Sequence, residues 1–182
     1  HSNAITNFGK IVIRKCSIDD YEAILSIIND AAEVYRGIIP TELWREPYMS
    51  ADELRKEINS DVRFFCLEVG GSLVAVMGTQ SVRDVILIRH AYVRTNRQRK
   101  GEGSRLLQYL VDNARKPILI GTWKSARWAL RFYEKHGFRL IEGGEKDRLL
   151  KAYWQIPARQ IDASVVMADH QARQEVVEDY NP

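Results

Sequence analysis

Hydrophobic positions along the chain change period several times, and each change marks an element. Ile11-Val12-Ile13-Arg14-Lys15 alternates loosely and predicts a first strand. Tyr21, Ile24, Leu25, Ile28 and Ala31 then recur at helical spacing up to about Val34, behind Ser17 and Asp20, a capping box with Asp in the Glu position. Tyr35-Arg36-Gly37-Ile38-Ile39-Pro40 breaks that helix, and a second, short one is predicted over 51–58, with Ser50 as N-cap and Glu53 completing its box. Residues 62–69, Gly70-Gly71 and 72–78 read as a hairpin on a two-glycine turn. The run 85–93 is nearly all apolar, as befits a central strand buried on both faces.

Leu106, Leu107, Leu110 and Val111 mark a third helix, and Pro117 opens the strand Ile118-Leu119-Ile120. Ala129, Phe132 and Tyr133 share one face of a fourth helix, which Gly137 ends in the left-handed conformation of a C-cap. A strand to about Ile141 follows. The charged segment Glu145-Lys146-Asp147-Arg148 then leads through Tyr153-Trp154 to a last strand over 161–167, and the stretch from Asp169 is expected as a polar tail. There are no internal repeats or low-complexity tracts.

Between the central strand and the third helix lies Gln98-Arg99-Lys100-Gly101-Glu102-Gly103-Ser104. Strand, glycine turn and helix in that order build an anion site: Gly101 and Gly103 let the backbone bend and approach a ligand, and the first N–H groups of a helix have no intrahelical acceptor. A P-loop needs a Gly-Lys-Ser/Thr ending, which is missing, and the dinucleotide fingerprint needs a third glycine where Leu106 stands. Arg94, Arg97, Arg99, Lys100 and Arg105 surround the loop with cations suited to phosphates.

The loop resembles the pyrophosphate loop of the GNAT superfamily of N-acetyltransferases, Gln/Arg-x-x-Gly-x-Gly/Ala after a central strand. A second segment, Trp128-Ala129-Leu130-Arg131-Phe132-Tyr133-Glu134-Lys135-His136-Gly137-Phe138, resembles the other signature of that family, an Ala and a Phe-Tyr pair on a helix that ends in Gly-Phe. The element order also resembles the GNAT fold over essentially the whole chain. The resemblance implies an α/β (α+β) fold with a central mixed, mostly antiparallel sheet of about seven strands and about four helices.

It also implies a chemistry. Acetyl-coenzyme A would lay its pyrophosphate on the N–H groups of residues 98–104, with Arg105 beside them, and run its pantetheine arm along Tyr92 and Val93, where the central strand and the next splay apart. Phe132 would face the coenzyme, and Ser125 would stand in for a family Asn whose position is Ala126 here. The reaction would be direct attack by a neutral primary amine on the thioester, with Tyr133 donating its phenolic proton toward the leaving sulfur. His90 is the base candidate within the central strand, and Asp84 at its start is another. Strand alternation puts His90 on the face of Tyr92, opposite Arg89 and Ala91.

Tyr35, Arg36 and Trp44 from the early helices, with Trp123 and Trp154, are candidates to line the acceptor site, and Arg36 could pair with a substrate carboxylate. The acceptor is therefore expected to be a small amine or an amino-acid-like molecule. Two alternatives stay open: a protein N-acetyltransferase, and a non-catalytic sensor that keeps the fold and binds acyl-coenzyme A.

Composition narrows the partners. With 182 residues, 45% of them hydrophobic, the chain is long enough for one domain, expected over 5–168. His1-Ser2-Asn3-Ala4 reads as an expression-tag remnant. Lys and Arg total 27 against 24 Asp and Glu, a net +3 that gives no field calling for nucleic acid or an anionic membrane. Cys16 and Cys66 read as buried strand thiols, and no Cys/His grouping has metal-ligand spacing, so no metal is expected. With no long apolar stretch and no secretory leader, the expectation is a cytoplasmic enzyme. The apolar last strand and residues 171–182 offer a surface on which two copies could form a homodimer.

Overall fold

A computed structural model describes residues 9–178. Seven strands form one sheet in the order β1-β2-β3-β4-β5-β7-β6. They are β1 Ile11–Lys15, β2 Arg63–Val69, β3 Ser72–Val82, β4 Val85–Val93, β5 Ile118–Trp123, β6 Arg139–Ile141 and β7 Ser164–Ala168. Every neighbouring pair is antiparallel except β4 with β5. Seven α-helices flank it: α1 Tyr21–Ala31, α2 Ala51–Asn59, α3 Glu102–Asn113, α4 Arg127–Lys135, α5 Gly143–Tyr153, α6 Ala158–Asp162 and α7 His170–Glu175. None is long and apolar enough to cross a membrane among the described residues.

The alternation of the strands sorts the core into two faces. Leu106, Leu107 and Tyr133 of α3 and α4 pack with Met77, Ile88, Ile118 and Ile120 on one side. On the other, Ile24, Ile28 and Leu54 of α1 and α2 meet Phe64, Cys66, Val76 and Tyr92, while Leu149 and Leu150 of α5 meet Leu87, Leu119 and Val166. The second half of that other face is the departure from the sequence reading, which allowed four helices. The charged segment at 145–148 is part of α5: Glu145 and Arg148 pair and hold the chain after α7 through the Glu178 N–H and the Val176 carbonyl, and Lys146 Nζ reaches the Ile161 carbonyl (2.8 Å), while Leu149 and Leu150 enter the core.

Likewise the last strand starts later than expected, because residues 158–162 form α6 and bury Ile161 from a helix rather than a strand. Asp169 caps α7, accepting from the Ala172 N–H (2.7 Å), and Ala172 and Val176 are buried, so the stretch predicted as a polar tail is docked as far as the structure describes it. The tag residues 1–4 and the last residues, 179–182, lie outside the described residues. β7 runs between β5 and β6 with all five residues buried, so it has no free edge to offer a second copy. Both cysteines are free; Cys66 is buried in β2 and Cys16, just past β1, is half-buried.

Candidate active site

The opening in the sheet comes from a parting of strands. β4 pairs with β5 only over Ile86–Ile88 against Ile118–Ile120; beyond that, β5 stays on β7 through Trp123 while β4 stays on β3 through Val93. Backbone groups of residues 89–93 on the β5 side therefore have no strand to bond, and buried backbone groups need partners. Two cavities meet in this wedge. One, about 780 Å³, lies under the start of α3 and is lined by Val93, the loop 97–104 except Lys100, and Ala129, Phe132 and Tyr133. The other, about 170 Å³, is lined by Glu57, Arg89, His90, Tyr92, Trp123 and Trp154 among others. Tyr35, Ala91 and Tyr133 border both.

The larger cavity has the form of an anion cradle. Gly101 sits at φ +78°, a left-handed conformation open to glycine, and Arg99 shares that region at φ +67°. The chain then enters α3 with no side-chain cap, and the first helical N–H with a backbone acceptor is that of Arg105, bonded to the Gly101 carbonyl at 3.1 Å. The N–H groups of Glu102, Gly103 and Ser104 are left for a ligand. A Cβ on Gly103 would stand 3.2 Å from Val93 Cγ2, a tight contact, so glycine lets the helix start lie close to the central strand without displacing Val93.

The side chains of the loop divide their duties. The Glu102 carboxylate turns inward, 4% exposed, onto the guanidinium of Arg97, so Glu102 offers its N–H to the cavity and Arg97 is neutralised. Arg94 points away to the Leu73 carbonyl and Ser26. Gln98 and Arg99 line the cavity, whereas the side chains of Lys100 and Arg105 are exposed outside it. Ser104 Oγ bonds His136 Nε2 at 2.9 Å, tying the start of α3 to the end of α4; burial, with Lys135 nearby, lowers the His136 pKa. Ser125 is exposed and borders neither cavity, because the chain turns there ahead of the buried α4 N-cap, Ala126.

Tyr133 stands at the junction. Its ring is fixed edge-on between Phe132 (5.3 Å) and Phe138 (6.2 Å), and it is 6% exposed. Burial pushes its phenol well above the ordinary value, so it keeps its proton at neutral pH, and its hydroxyl bonds no described residue. Phe132 packs against both Tyr133 and His136 while lining the larger cavity.

The smaller cavity has several aromatic walls. Trp123 Nε1 donates to the Tyr48 hydroxyl (3.0 Å), Tyr48 meets Tyr35 and Tyr92, and Trp154 lies flat on Gly121, where a Cβ would stand 3.1 Å from the indole. Burial raises the phenols of Tyr35, Tyr48 and Tyr92, so these walls stay uncharged. Tyr92 lends its side chain here, while Ala91 and Val93 face the larger cavity.

Its charged floor corrects the alternation argument for Arg89 alone, since His90 and Tyr92 do share a face opposite Ala91. Gly78 pairs with His90 but Thr79 with Ile88, a bulge in which Arg89 is the extra residue. Past it the faces exchange, so Ile88, Ala91 and Val93 share one side, and Arg89 and His90 both turn to Glu57 of α2. His90 Nε2 bonds Glu57 Oε2, and its ring stacks between Phe64 and Tyr92. Arg89 reaches Gln80 at 3.3 Å and Glu57 Oε1 only at 3.9 Å, and its Nε, like His90 Nδ1, is buried without a partner among the described residues.

Other expected site residues stand elsewhere. Arg36 pairs with Glu33 (3.0 Å) and Glu46 (2.5 Å) over the ring of Trp44, and neither Arg36 nor Trp44 borders a cavity. Trp44 acts at one remove, 5.7 Å from Tyr48. Asp84 accepts from the Tyr153 hydroxyl at 2.8 Å, at the far end of β4. Tyr48, Glu57 and Arg89 were missed in the sequence; adjacent polar residues in an otherwise apolar strand, opposite a glycine, were the available sign of the bulge.

Comparison with known proteins agrees with this fold. The sequence model of the acetyltransferase (GNAT) domain matches residues 24–149. Among solved structures, the fold is similar to that of a PaiA N-acetyltransferase from Thermoplasma acidophilum in complex with coenzyme A, at 19% identity and TM-score 0.64, over 88% of this chain and 98% of that one. It is similar to the ribosomal-protein-S18-alanine N-acetyltransferase from Escherichia coli at 19% identity and TM-score 0.62, over 88% and 93%. An N-acetylglutamate synthase from Neisseria gonorrhoeae, complexed with coenzyme A and N-acetyl-glutamate, matches at 20% identity and TM-score 0.61, over 89% of this chain and 35% of that one.

Proposed function

The chain belongs to the GNAT acetyltransferase family, and on that footing we propose that it transfers an acetyl group from acetyl-coenzyme A to the primary amine of a small or amino-acid-like acceptor. One observation carries the proposal: Tyr133, protonated and without a hydrogen-bond partner among the described residues, borders both cavities. The larger cavity has the helix-start N–H groups for a pyrophosphate and the unpaired strand edge for pantetheine amides. The smaller suits the acceptor. The amine nitrogen attacks the thioester carbon, the carbonyl re-forms, and the sulfur leaves with the proton of Tyr133.

The size of the smaller cavity, about 170 Å³ within aromatic walls, favours a small amine over a chain terminus laid in an open groove. An acceptor bearing a carboxylate would meet Arg89 there rather than Arg36. Calorimetric titration with acetyl-coenzyme A, followed in the same preparation by thiol release over a panel of amines and amino acids, tests the reading. Tyr133→Phe is expected to lower thiol release about 100-fold or more while coenzyme binding holds, since general acid catalysis contributes about 10²–10⁴. Coenzyme binding with no release from any amine would return the chain to the sensor alternative, and absence of binding would remove both.

A further inference from the structure

The proton that the acceptor amine loses needs a destination, and the floor of the smaller cavity offers two neighbouring groups. His90 is closed to it. Its side chain is 10% exposed, its Nε2 is committed to Glu57, and its Nδ1 is buried without a partner among the described residues. Glu57 is open. Its side chain is 23% exposed and borders the cavity, and its Oε1 accepts no hydrogen bond from a described residue, the nearest cation being Arg89 Nη2 at 3.9 Å, beyond hydrogen-bond reach. A carboxylate oxygen with free capacity, among the rings of Tyr35, Tyr48, Tyr92 and Trp123, suits an amine arriving as a cation.

We infer that Glu57 is the catalytic group that receives the N–H of the acceptor amine and then its proton, with His90 as a positioning residue that holds the carboxylate from behind and shares the proton. This rests on the acetyltransferase reading above. Burial alone would push the Glu57 carboxyl up, but the hydrogen bond and charge of His90, with Arg89, hold it below its ordinary value, so it is ionised at neutral pH. A carboxylate of that kind is a weak resting place for an amine proton by itself. The bonded imidazole supplies a second place, and the proton belongs to the pair.

The step balances. An acceptor that arrives as an ammonium first sheds one proton through the pair to solvent. The nitrogen lone pair forms the C–N bond, the carbonyl π pair moves to oxygen, and the nitrogen's surplus proton passes to Glu57 and His90. Collapse restores the carbonyl and breaks the C–S bond; the thiolate takes the Tyr133 proton. The proton on the pair and the phenolate then cancel through solvent, leaving amide, thiol and an unchanged protein.

Glu57→Gln, Glu57→Asp and His90→Gln, assayed for acetyl-coenzyme A binding by calorimetry and for thiol release from about pH 5 to pH 10, test this. Glu57→Gln is expected to keep coenzyme affinity within about twofold and lose about 100-fold in kcat/KM, with part recovered in Glu57→Asp. His90→Gln is expected to lose less, but to move the acid limb of the profile to higher pH, because burial then acts on the carboxyl without the imidazole that holds it down. Wild-type turnover in Glu57→Gln, or an acid limb unmoved in His90→Gln, would overturn the inference and leave the transferase standing. Joint loss of coenzyme binding and turnover in both Glu57 variants would mark Glu57 as structural, which also overturns it. No thiol release from the wild type would remove the transferase reading and this inference with it.

Discussion

Two clusters of like composition lie far apart on the sheet, and they differ in how completely their groups are paired. On the β1 edge, Arg14 gives both Nη atoms to Asp20 at 2.7 and 2.8 Å and its Nε to Glu68 at 2.9 Å, while the Ser17 N–H adds a 2.7 Å bond to Asp20. At the wedge between β4 and β5, Arg89, His90 and Glu57 leave two buried nitrogens and one carboxylate oxygen without a hydrogen bond. The first cluster leaves no buried polar atom without a partner among the described residues, although Glu68 Oε2 accepts no hydrogen bond, so its work is to hold β1 to β2 and fix the start of α1. The second keeps capacity that folding alone would not leave unused, since an unmet buried polar group costs about 1–3 kcal/mol.

Breaking the first cluster should injure stability and spare chemistry. Asp20→Asn is expected to cost about 2 kcal/mol, roughly 4–8 °C in Tm for a domain of this size, with kcat unaltered; a fall in kcat at a temperature where the variant is folded would blur the comparison. Its pH dependence has a definite sign. Arg14 holds the Asp20 carboxyl well below its ordinary value, so its contribution is complete above about pH 4 and disappears as the pH falls further. Urea midpoints of wild type and variant should therefore converge between about pH 4 and pH 2; a constant gap would refute the assignment.

A smaller effect, in the opposite sense, is expected from the second cluster. Arg89→Gln should raise KM about tenfold for amines that carry a carboxylate, more than for amines without one, and should scarcely change Tm. Equal changes in KM for the two classes would deny Arg89 a part in selecting the acceptor. The mildest test reaches the site through the bulge. A Cβ at Gly78 would stand 3.0 Å from the ring of Phe64, which stacks on His90, so Gly78→Ala should lower turnover a few-fold and cost about 1 kcal/mol. A stability change without any kinetic change would show that Phe64 does not transmit to the pair.

The two halves of the candidate site were unequally legible in the sequence. The coenzyme half rests on two short segments, the loop 98–104 and the Ala129-Phe132-Tyr133 face, each readable within the chain, and the family resemblance brought them together. The acceptor half is collected from Tyr48, Glu57, Arg89, Trp123 and Trp154, which only the tertiary fold joins. Alternation held for His90 and Tyr92, which share a face opposite Ala91, and failed for Arg89, the inserted residue of β4. The C-terminal helices were hidden for another reason: charges interrupt the apolar pattern around Leu149 and Leu150, and α6 and α7 are too short for periodicity to show. Ser125 and Arg36 had suitable chemistry, but local turns and nearby carboxylates fixed them elsewhere.

One wall of the smaller cavity comes from a separate part of the chain. Leu150, Trp154, Ile156, Gln160 and Ser164 line that cavity, and all five follow residue 149, where the match to the common family pattern ends. The loop 97–104 and Tyr133 lie within the stretch matched by the family model, and this wall of the smaller cavity lies outside it. Substitutions from α5 through α6 can therefore reshape the smaller cavity without touching the loop or Tyr133, so under the proposed reading acceptor choice could change while the donor site stays as it is.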